Sequence, residues 1–145
     1  MAELDRDSEL KARIEHIRLL AGELMGLGDV ANAVVPKISL IAPPRNGGCV
    51  TTRTFIPKTC HQSIGVFGAV SVATVCVLPG SAAEGVALVT KSENQSLSIE
   101  HPAGEFTVNL ELDFAPSGLV VKRAGLVRTA RALFDGFVFA KRPPF

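Results

Sequence analysis

The chain of 145 residues is long enough for one domain with a hydrophobic core, and its 47% hydrophobic residues argue against intrinsic disorder. Its 15 Lys and Arg residues against 14 Asp and Glu give a formal net charge of +1, so charge favours neither nucleic acid nor a membrane surface as a partner. The 3 cysteines lack metal-ligand spacing and follow no secretory leader, so we expect a reducing compartment, by default the cytoplasm.

The first predicted element is an amphipathic helix capped by Asp7 or Ser8. Apolar residues recur along one of its faces at helical spacing, namely Leu10, Ile14, Ile17, Ala21 and Leu24. The opposite face carries charged residues that we expect to face solvent, namely Lys11, Arg13, Glu15 and Arg18. Gly26 and Gly28 end the helix.

Two short strands are predicted next, over residues 38–41 and 49–55. The first is ended by Pro43 and Pro44, and Asn46-Gly47 has the composition of a hairpin turn. We therefore expect the two strands to pair.

A second helix is predicted over residues 64–78, because this stretch is apolar on every side and Pro79-Gly80 stops it. Its ~15 residues rise roughly 22 Å, which is short of the ~30 Å hydrocarbon core of a bilayer. We therefore expect a buried core helix wrapped by a sheet or barrel.

The segment after this helix is ambiguous, although residues 86–89 could form a strand. After a polar turn over residues 91–95, a strand begins at Leu97 and Ile99 and is interrupted by a bend over 101–104. Residues 105–112 then alternate between apolar and polar, which predicts a strand with one face in the core.

The last part of the chain predicts one or two further strands over residues 119–129 and a hairpin at Asp135-Gly136 leading into 137–139. Residues 141–144 are expected to form a frayed tail. Together the elements predict an α+β domain, with a strongly curved antiparallel sheet around the hydrophobic helix and the amphipathic helix outside.

Polar residues cluster where the core helix is expected to begin. Unpaired N–H groups at a helix start favour a bound anion, and the helix dipole lowers the pKa of a nearby thiol. Cys60 and His61 could therefore act as acid or base beside an anion, with Thr59 as a further hydroxyl and Ser63 as the cap. An equally weighted interpretation makes Ser63 a simple cap, Cys60 a small buried residue and His61 a local hydrogen-bonding partner.

Other polar residues have weaker signals. Arg53 could bind a carboxylate bidentately, although a surface position on its strand is equally plausible. Arg128 and Arg131 fit best as charges that protect a strand edge, and His101 as part of a structural bend. Cys76 is expected to be inert core.

Six blocks, in this order, resemble the carboxy-terminal part of the PrpF family: LKARIEHIR (10–18), LMGLGDV (24–30), RTFIP (53–57), CHQSIGV (60–66), EHPAGEF (100–106) and LVRTARALFDG (126–136). The family resembles diaminopimelate epimerase in fold, with two similar domains, each a barrel-like sheet around a central helix. The resemblance implies that residues 1–145 form a single domain, a diaminopimelate epimerase-like half. It corresponds to the second domain of a two-domain isomerase whose amino-terminal domain is absent here.

The resemblance also implies cofactor-independent isomerisation of an unsaturated tricarboxylate. The reaction is keto–enol tautomerisation of 4-oxalomesaconate, as in the breakdown of aromatic compounds, or an aconitate-type double-bond shift. The family's proposed catalytic lysine and cysteine lie in the amino-terminal half. This chain is therefore expected to contribute substrate binding through Thr59, Gln62, Ser63 and Arg53, with Cys60 and His61 as its acid/base candidates.

Two functions follow from the resemblance. The chain is either half of an isomerase, completed by an amino-terminal half or by a homodimer partner, or a catalytically inactive remnant that serves as an interaction module. In either case we expect this chain to expose an apolar surface where the partner binds. Nucleic acid and membrane are not expected as partners.

Overall fold

The computed structural model describes residues 2–116 and 118–139. Its regular elements are, in chain order, α1 (Ala2–Arg6), α2 (Ser8–Leu24), β1 (Ile38–Ala42), β2 (Val50–Phe55), α3 (Val66–Val77), β3 (Asn94–His101), β4 (Gly104–Ala115) and β5 (Gly118–Leu126). None of the helices in these two ranges is both long and apolar enough to cross a lipid bilayer. The predicted α+β class is confirmed.

The strands form one five-stranded sheet in the order β1-β2-β3-β4-β5. Neighbours are antiparallel except β2 and β3, which pair in parallel through Val50 with Ile99 and Thr51 with Glu100. A parallel pair needs a long crossover connection, and here that connection contains α3. The sheet curls around α3 as a half-barrel, so the predicted curved, mostly antiparallel sheet with a central helix is confirmed.

The main core lies between α3 and the concave face of the sheet. The predicted alternation along β4 is confirmed, because Val108, Leu110 and Leu112 are buried whereas Asn109 and Glu111 are exposed. These side chains form one apolar cluster with the buried side of α3, which consists of Ala69, Val72, Ala73 and Cys76. Small residues on this side of α3 allow the helix to lie close to the sheet.

The start and the surroundings of α3 differ from the sequence prediction. The helix begins at Val66 with Gly65 as its N-cap residue and without a side-chain cap, so Ser63 does not cap it. The prediction of burial on every side is also wrong, because Phe67 is 87% exposed and Ser71 is exposed. The five strands cover only one side of the helix. The hydrophobicity of a helix indicates that it is buried in the assembled protein, but not which elements cover it.

The amphipathic helix α2 is confirmed, with Asp7 as its N-cap residue. The Leu10 N–H donates to Asp7 Oδ1 at 2.9 Å. The buried side differs from the predicted one, because Ile14 is buried whereas Ile17 is half exposed and Leu24 is 91% exposed. With Phe55 and Cys60, Ile14 forms a second, smaller core on the opposite side of the sheet from α3.

Arg18 was predicted on the solvated face of α2, and this prediction is wrong because its side chain is fully buried. Its guanidinium forms two bonds to the Glu15 carboxylate, at 2.8 and 2.9 Å, and donates to the carbonyls of Val35 at 2.7 Å and Ala33 at 3.3 Å. Arg can be buried when its donors are paired, and helical periodicity does not report such partners. Arg18 therefore fixes the segment after α2 to the helix.

Two further predictions concern the segments around Asn46-Gly47 and residues 86–89. The predicted pairing of β1 with β2 around Asn46-Gly47 is confirmed, although the two strands are joined by a longer loop, residues 43–49, in which Gly47 has a φ of +87°. The strand predicted over 86–89 is not formed, because Val86 and Ala87 donate to the carbonyl of Ala83 in successive turns. A short apolar run does not distinguish a strand from a packed turn.

The end of the chain also departs from expectation. One strand, β5, ends at Leu126, and residues 127–139 form neither helix nor strand, so the hairpin predicted at Asp135-Gly136 is not formed. A two-stranded hairpin is stable only when its strands pack against other parts of the protein. Residues 127–139 are exposed, so an Asp-Gly turn there lacks that support. The predicted frayed tail, residues 141–144, lies outside the described residues.

The carboxylate of Glu100 is the acceptor that closes the β1–β2 turn. The backbone N–H groups of Asn46, Gly48 and Arg45 donate to it at 2.7, 2.9 and 2.9 Å, and the Thr51 hydroxyl donates as well. Burial alone would raise the pKa of Glu100, but these donors hold it at about 2, below its ordinary value of 4.5. The side chain is 3% exposed, so the charge is kept in the interior by these donors.

We predict that Glu100→Gln lowers the free energy of unfolding by about 2–3 kcal/mol near neutral pH, because charged acceptor bonds are lost and a buried N–H loses its partner. The folded pKa is depressed, so the contribution of Glu100 is complete above pH 4.5 and is lost as the pH falls from 4.5 towards 2. Urea unfolding at neutral and acidic pH should therefore show the difference between the two chains shrinking in acid. Glu23→Gln, on the exposed surface of α2, is the control, and an equal loss in both variants would contradict the role of Glu100.

Candidate functional site

The segment between β2 and α3 is a tight loop that returns the chain to the end of β2. Phe55 and Cys60 form an antiparallel bridge, and the Ile56 N–H donates to the Thr59 carbonyl at 3.0 Å. The His61 N–H then donates to the Thr54 carbonyl at 2.8 Å. The main chain at His61 is therefore held on β2, while the side chain of His61 remains exposed.

The β3–β4 hairpin supports the same segment from the other side. The Ala103 N–H at the hairpin tip donates to the Gln62 carbonyl at 2.9 Å. His101, at the end of β3, packs its ring against Phe106 with 5.5 Å between ring centroids. The backbone of residues 61–62 is thus fixed by two different parts of the sheet.

The side chains of His61, Gln62 and Ser63, called the polar cluster below, are exposed, and Ile64 and Gly65 separate them in sequence from the start of α3 at Val66. The first intrahelical bond of α3 is donated by Ala69 to the Gly65 carbonyl at 2.9 Å. The N–H groups of the first turn therefore have no partner within the helix and carry its partial positive charge. These N–H groups are donors of the kind that bind an anion at a helix start.

Cys60 lies in a different environment from its neighbour His61. Its side chain is 4% exposed in the small core with Ile14 and Phe55, and its N–H donates to Asp5 Oδ1 at 2.8 Å. Burial raises the pKa of the Cys60 thiol, and the negative charge of Asp5 raises it further. The helix dipole was expected to lower this pKa, but α3 begins at Val66 and the effect of a dipole fades within a turn.

The remaining predicted site residues are Thr59 and Arg53. Thr59 is exposed in the loop before Cys60. Arg53 is half-buried and donates to the Thr52 carbonyl at 2.7 Å. Because side chains alternate along a strand and Thr54 faces the α3 side, Arg53 points to the α2 side of β2. The structure therefore places Arg53 on the side of β2 that also holds Cys60, where its charge partly offsets the rise in the pKa of the Cys60 thiol.

Arg128 lies at the same hairpin as Gln62, although the sequence indicated only a charged strand edge. Its guanidinium lies 5.3 Å from the centre of the Phe106 ring, the ring that also packs against His101. The Val127 N–H donates to the Thr107 carbonyl at 3.2 Å, which holds this part of the chain beside β4. The EHPAGEF block (100–106) indicated this hairpin in the sequence. It did not indicate that Arg128 lies beside the hairpin, because that position follows from the register of β4 with β5.

A groove with a cavity volume of about 690 Å³ runs along α3. It lies between α3 and β1 and begins at Gly65 and Val66. Its lining is mostly apolar, and Lys37 is the one charged residue among the described residues that line it. The groove therefore borders the first turn of α3, whereas His61, Gln62 and Ser63 are not among the described residues that line it.

The half-barrel around α3 is the fold of an isomerase of known structure. The crystal structure of methylitaconate-delta-isomerase superposes with a TM-score of 0.63 at 14% identity, covering 86% of this chain and 38% of that one. Residues 1–141 match the sequence model of the PrpF protein family. The chain belongs to the PrpF family.

Two relatives with assigned names are highly similar. The chain is 56% identical over 135 residues to 4-oxalomesaconate tautomerase of Pseudomonas putida, covering 93% of this chain and 36% of the relative. It is 58% identical over 136 residues to (4E)-oxalomesaconate Delta-isomerase of a Novosphingobium species, covering 94% of this chain and 37% of the relative. The chain therefore spans less than two fifths of the length of these relatives.

We predict that Cys60 is alkylated by iodoacetamide at least about tenfold more slowly in the folded chain than in urea, because a buried thiol with a raised pKa forms little thiolate. Its rate should keep rising with pH beyond the value at which an ordinary thiol is fully ionised. Mass mapping of modified peptides separates Cys60 from Cys49 and Cys76, which are also buried. Rapid labelling of Cys60 alone at neutral pH would show instead that its thiol is activated.

Proposed function

We propose that this chain is the carboxy-terminal half of a cofactor-independent isomerase that acts on unsaturated tricarboxylates. The identity of 56% to a relative named 4-oxalomesaconate tautomerase carries this proposal. The polar cluster at the start of α3 is the part of the chain best suited to bind such an acid. Keto–enol tautomerisation of 4-oxalomesaconate is the favoured reaction, and an aconitate-type double-bond shift is the other form of the same chemistry.

Substrate carboxylates would bind at the start of α3. The available donors are the backbone N–H groups of its first turn, the Gln62 amide and the Ser63 hydroxyl. The exposed Thr59 hydroxyl, in the loop that precedes Cys60, is a further donor. The segment carrying Gln62 is held by hydrogen bonds to β2 and to the β3–β4 hairpin. Donors on a fixed backbone lose little entropy when they bind a ligand.

The same donors suit the chemical step. A base removes a proton from the carbon next to a carbonyl, the bonding electrons move onto the carbonyl oxygen, and a proton then returns at the other end of the delocalised system. Backbone N–H groups stabilise the negative oxygen formed in between. We assign the acid/base role within this chain to His61, which is exposed, and a packing role to the buried Cys60.

A complete active site needs a second set of residues opposite this one. We propose that an amino-terminal half, which in the family resemblance carries the catalytic lysine and cysteine, or a second copy of the chain supplies it, in the cytoplasm. Exposed apolar side chains such as Phe67 and Phe137 are consistent with such a partner. They also favour the second candidate function, a non-catalytic interaction module.

Turnover assays distinguish these possibilities. Ultraviolet absorbance and proton exchange should be followed with 4-oxalomesaconate and with aconitate-type acids, using the chain alone and the chain mixed with a separately made amino-terminal half from a relative. We expect turnover in the mixture and little or none in either part alone. No turnover in any mixture, with no binding of the acids, would support the interaction module.

We predict that Gln62→Ala and Ser63→Ala each weaken binding of a tricarboxylate probe such as trans-aconitate by about tenfold, the equivalent of one hydrogen bond to a charged group. Nuclear magnetic resonance titration of the chain measures this without requiring catalysis. Ser92→Ala, an exposed serine in the loop before β3, is the matched control and should leave binding unchanged. Equal affinity in all three variants would remove the start of α3 from the proposed site.

A further inference from the structure

The aromatic ring of Phe106 holds two nitrogen-bearing side chains at one end of the sheet. The guanidinium carbon of Arg128 lies 5.3 Å from the centre of this ring, and the centre of the His101 imidazole lies 5.5 Å from it at an interplanar angle of 46°. Phe106 itself is partly buried and packs against the core between α3 and the sheet. A cation and an imidazole are therefore in contact with one ring that the core fixes in place.

The register of β3 with β4 places His101 and Phe106 on the α3 side of the sheet. Ile99 is paired with Phe106, so these two side chains share a face, and Ile99 is fully buried in the core around α3. His101 follows Ile99 by two residues along β3 and so points to the same face. The two side chains thus extend the α3 side of the sheet up to the β3–β4 turn.

Arg128 reaches the same ring because the pairing of β4 continues beyond the end of β5. The last β4–β5 pair is followed by a hydrogen bond from the Val127 N–H to the Thr107 carbonyl, at 3.2 Å. The next residue, Arg128, falls opposite Phe106 in this register. Main-chain hydrogen bonding and the ring contact together therefore set the position of Arg128.

The β3–β4 turn connects this group to the segment that carries the polar cluster. The Ala103 N–H donates to the Gln62 carbonyl at 2.9 Å and also to His101 Nδ1 at 3.3 Å. With Nδ1 as an acceptor, the proton of the neutral imidazole is on Nε2, which leaves Nε2–H as a donor. The His101 ring and the main chain of the polar cluster therefore meet at a single N–H group.

The contact with Phe106 leaves Arg128 able to bind a carboxylate. A cation is attracted to an aromatic ring through its charge, so this contact positions the guanidinium without requiring its N–H donors. Those donors form a planar fork that matches the two oxygens of a carboxylate, and an ammonium group cannot reproduce this paired contact. The chemistry of the group therefore suits a carboxylate that approaches from the side of the polar cluster.

We propose that Arg128 binds one carboxylate of the substrate, that His101 adds its Nε2–H as a neighbouring donor, and that Phe106 positions both. The three residues are called the hairpin subsite below. The assignment rests on the proposed function, because it names the residues that receive a further carboxylate of the same acid. The polar cluster binds one carboxylate, and the hairpin subsite selects acids that carry another.

The charge of the acid explains why an arginine is needed. The Gln62 amide and the Ser63 hydroxyl are neutral donors, whereas a tricarboxylate brings up to three negative charges. Hydrogen bonds between two charged groups are roughly twice as strong as those between neutral groups. Arg53, the arginine for which the sequence suggested this role, points to the α2 side of β2, whereas Arg128 contacts a ring on the α3 side.

Nuclear magnetic resonance titration of the chain with trans-aconitate tests the hairpin subsite. Arg128→Gln removes the charge and the fork, and we expect binding to weaken at least about tenfold. Arg128→Lys keeps the charge without the fork and should lose less, about threefold. His101→Phe keeps a ring against Phe106 but removes the donor, and a loss of about threefold is expected.

Arg123→Gln is the charge-matched control. Arg123 lies on β5, where its exposed side chain is 3.6 Å from the Glu111 carboxylate, and the substitution removes the same charge from the same sheet. Its affinity for trans-aconitate should be that of the unaltered chain. The side-chain nitrogen resonances of Arg128 and His101 provide a further readout. They should shift during the titration with the same dissociation constant as the backbone resonances of Gln62, which a purely structural role would not produce.

The possible failures of the two proposals differ. Unchanged binding in Arg128→Gln, together with weakened binding in Gln62→Ala, would overturn the hairpin subsite and leave the proposed function intact. Equal losses in Arg128→Gln and Arg123→Gln would reduce Arg128 to a general effect of charge and would also overturn the subsite. An unaltered chain that binds no trans-aconitate at any attainable concentration would contradict both the subsite and the binding role of the polar cluster.

Discussion

The buried carboxylate of Glu100 is the interaction on which the arrangement of this chain depends. It collects three backbone N–H groups from the β1–β2 turn and the Thr51 hydroxyl, so that a residue of β3 holds the loop between two other strands. β2 and β3 share only two register pairs, Val50 with Ile99 and Thr51 with Glu100. The carboxylate therefore reinforces the one parallel pair in the sheet. Its negative charge is tolerated in the interior because four hydrogen bonds donated to its oxygens replace those of water.

The parallel pairing of β2 with β3 determines the position of α3. The parallel pairing of β2 and β3 requires the crossover that contains α3, and antiparallel β4 and β5 then extend the sheet on one side of the helix only. One side of α3 is buried, and its other side faces the groove beside β1. The polar start of the helix and the bare groove are thus two consequences of one topology.

Much of this fold could be predicted because its signals are local. Asp7 caps α2, Asn46-Gly47 makes its turn and β4 alternates as expected, since each depends on residues close in sequence. The mistakes concern distant partners. Arg18 is buried because carbonyls at Ala33 and Val35 accept its bonds, and Ser63 does not cap α3 because the loop from β2 carries the chain on to Gly65 before the helix begins. The sequence predicted the residues from Thr59 to Ser63 as one site. In the structure Cys60 is buried, whereas the residues from His61 to Ser63 are exposed.

This division follows from two hydrogen bonds at opposite sides of one short segment. The His61 N–H is bound to the Thr54 carbonyl on β2, and the Gln62 carbonyl accepts from Ala103 on the β3–β4 hairpin. Cys60, one residue earlier, is drawn into the small core under α2, while the side chains from His61 to Ser63 stay in solvent. This fixed backbone supports the binding role proposed for these residues, because the entropy cost of ordering the segment is met during folding. The same two contacts also join the start of α3 to both halves of the sheet, so the position of the cluster depends on the whole domain.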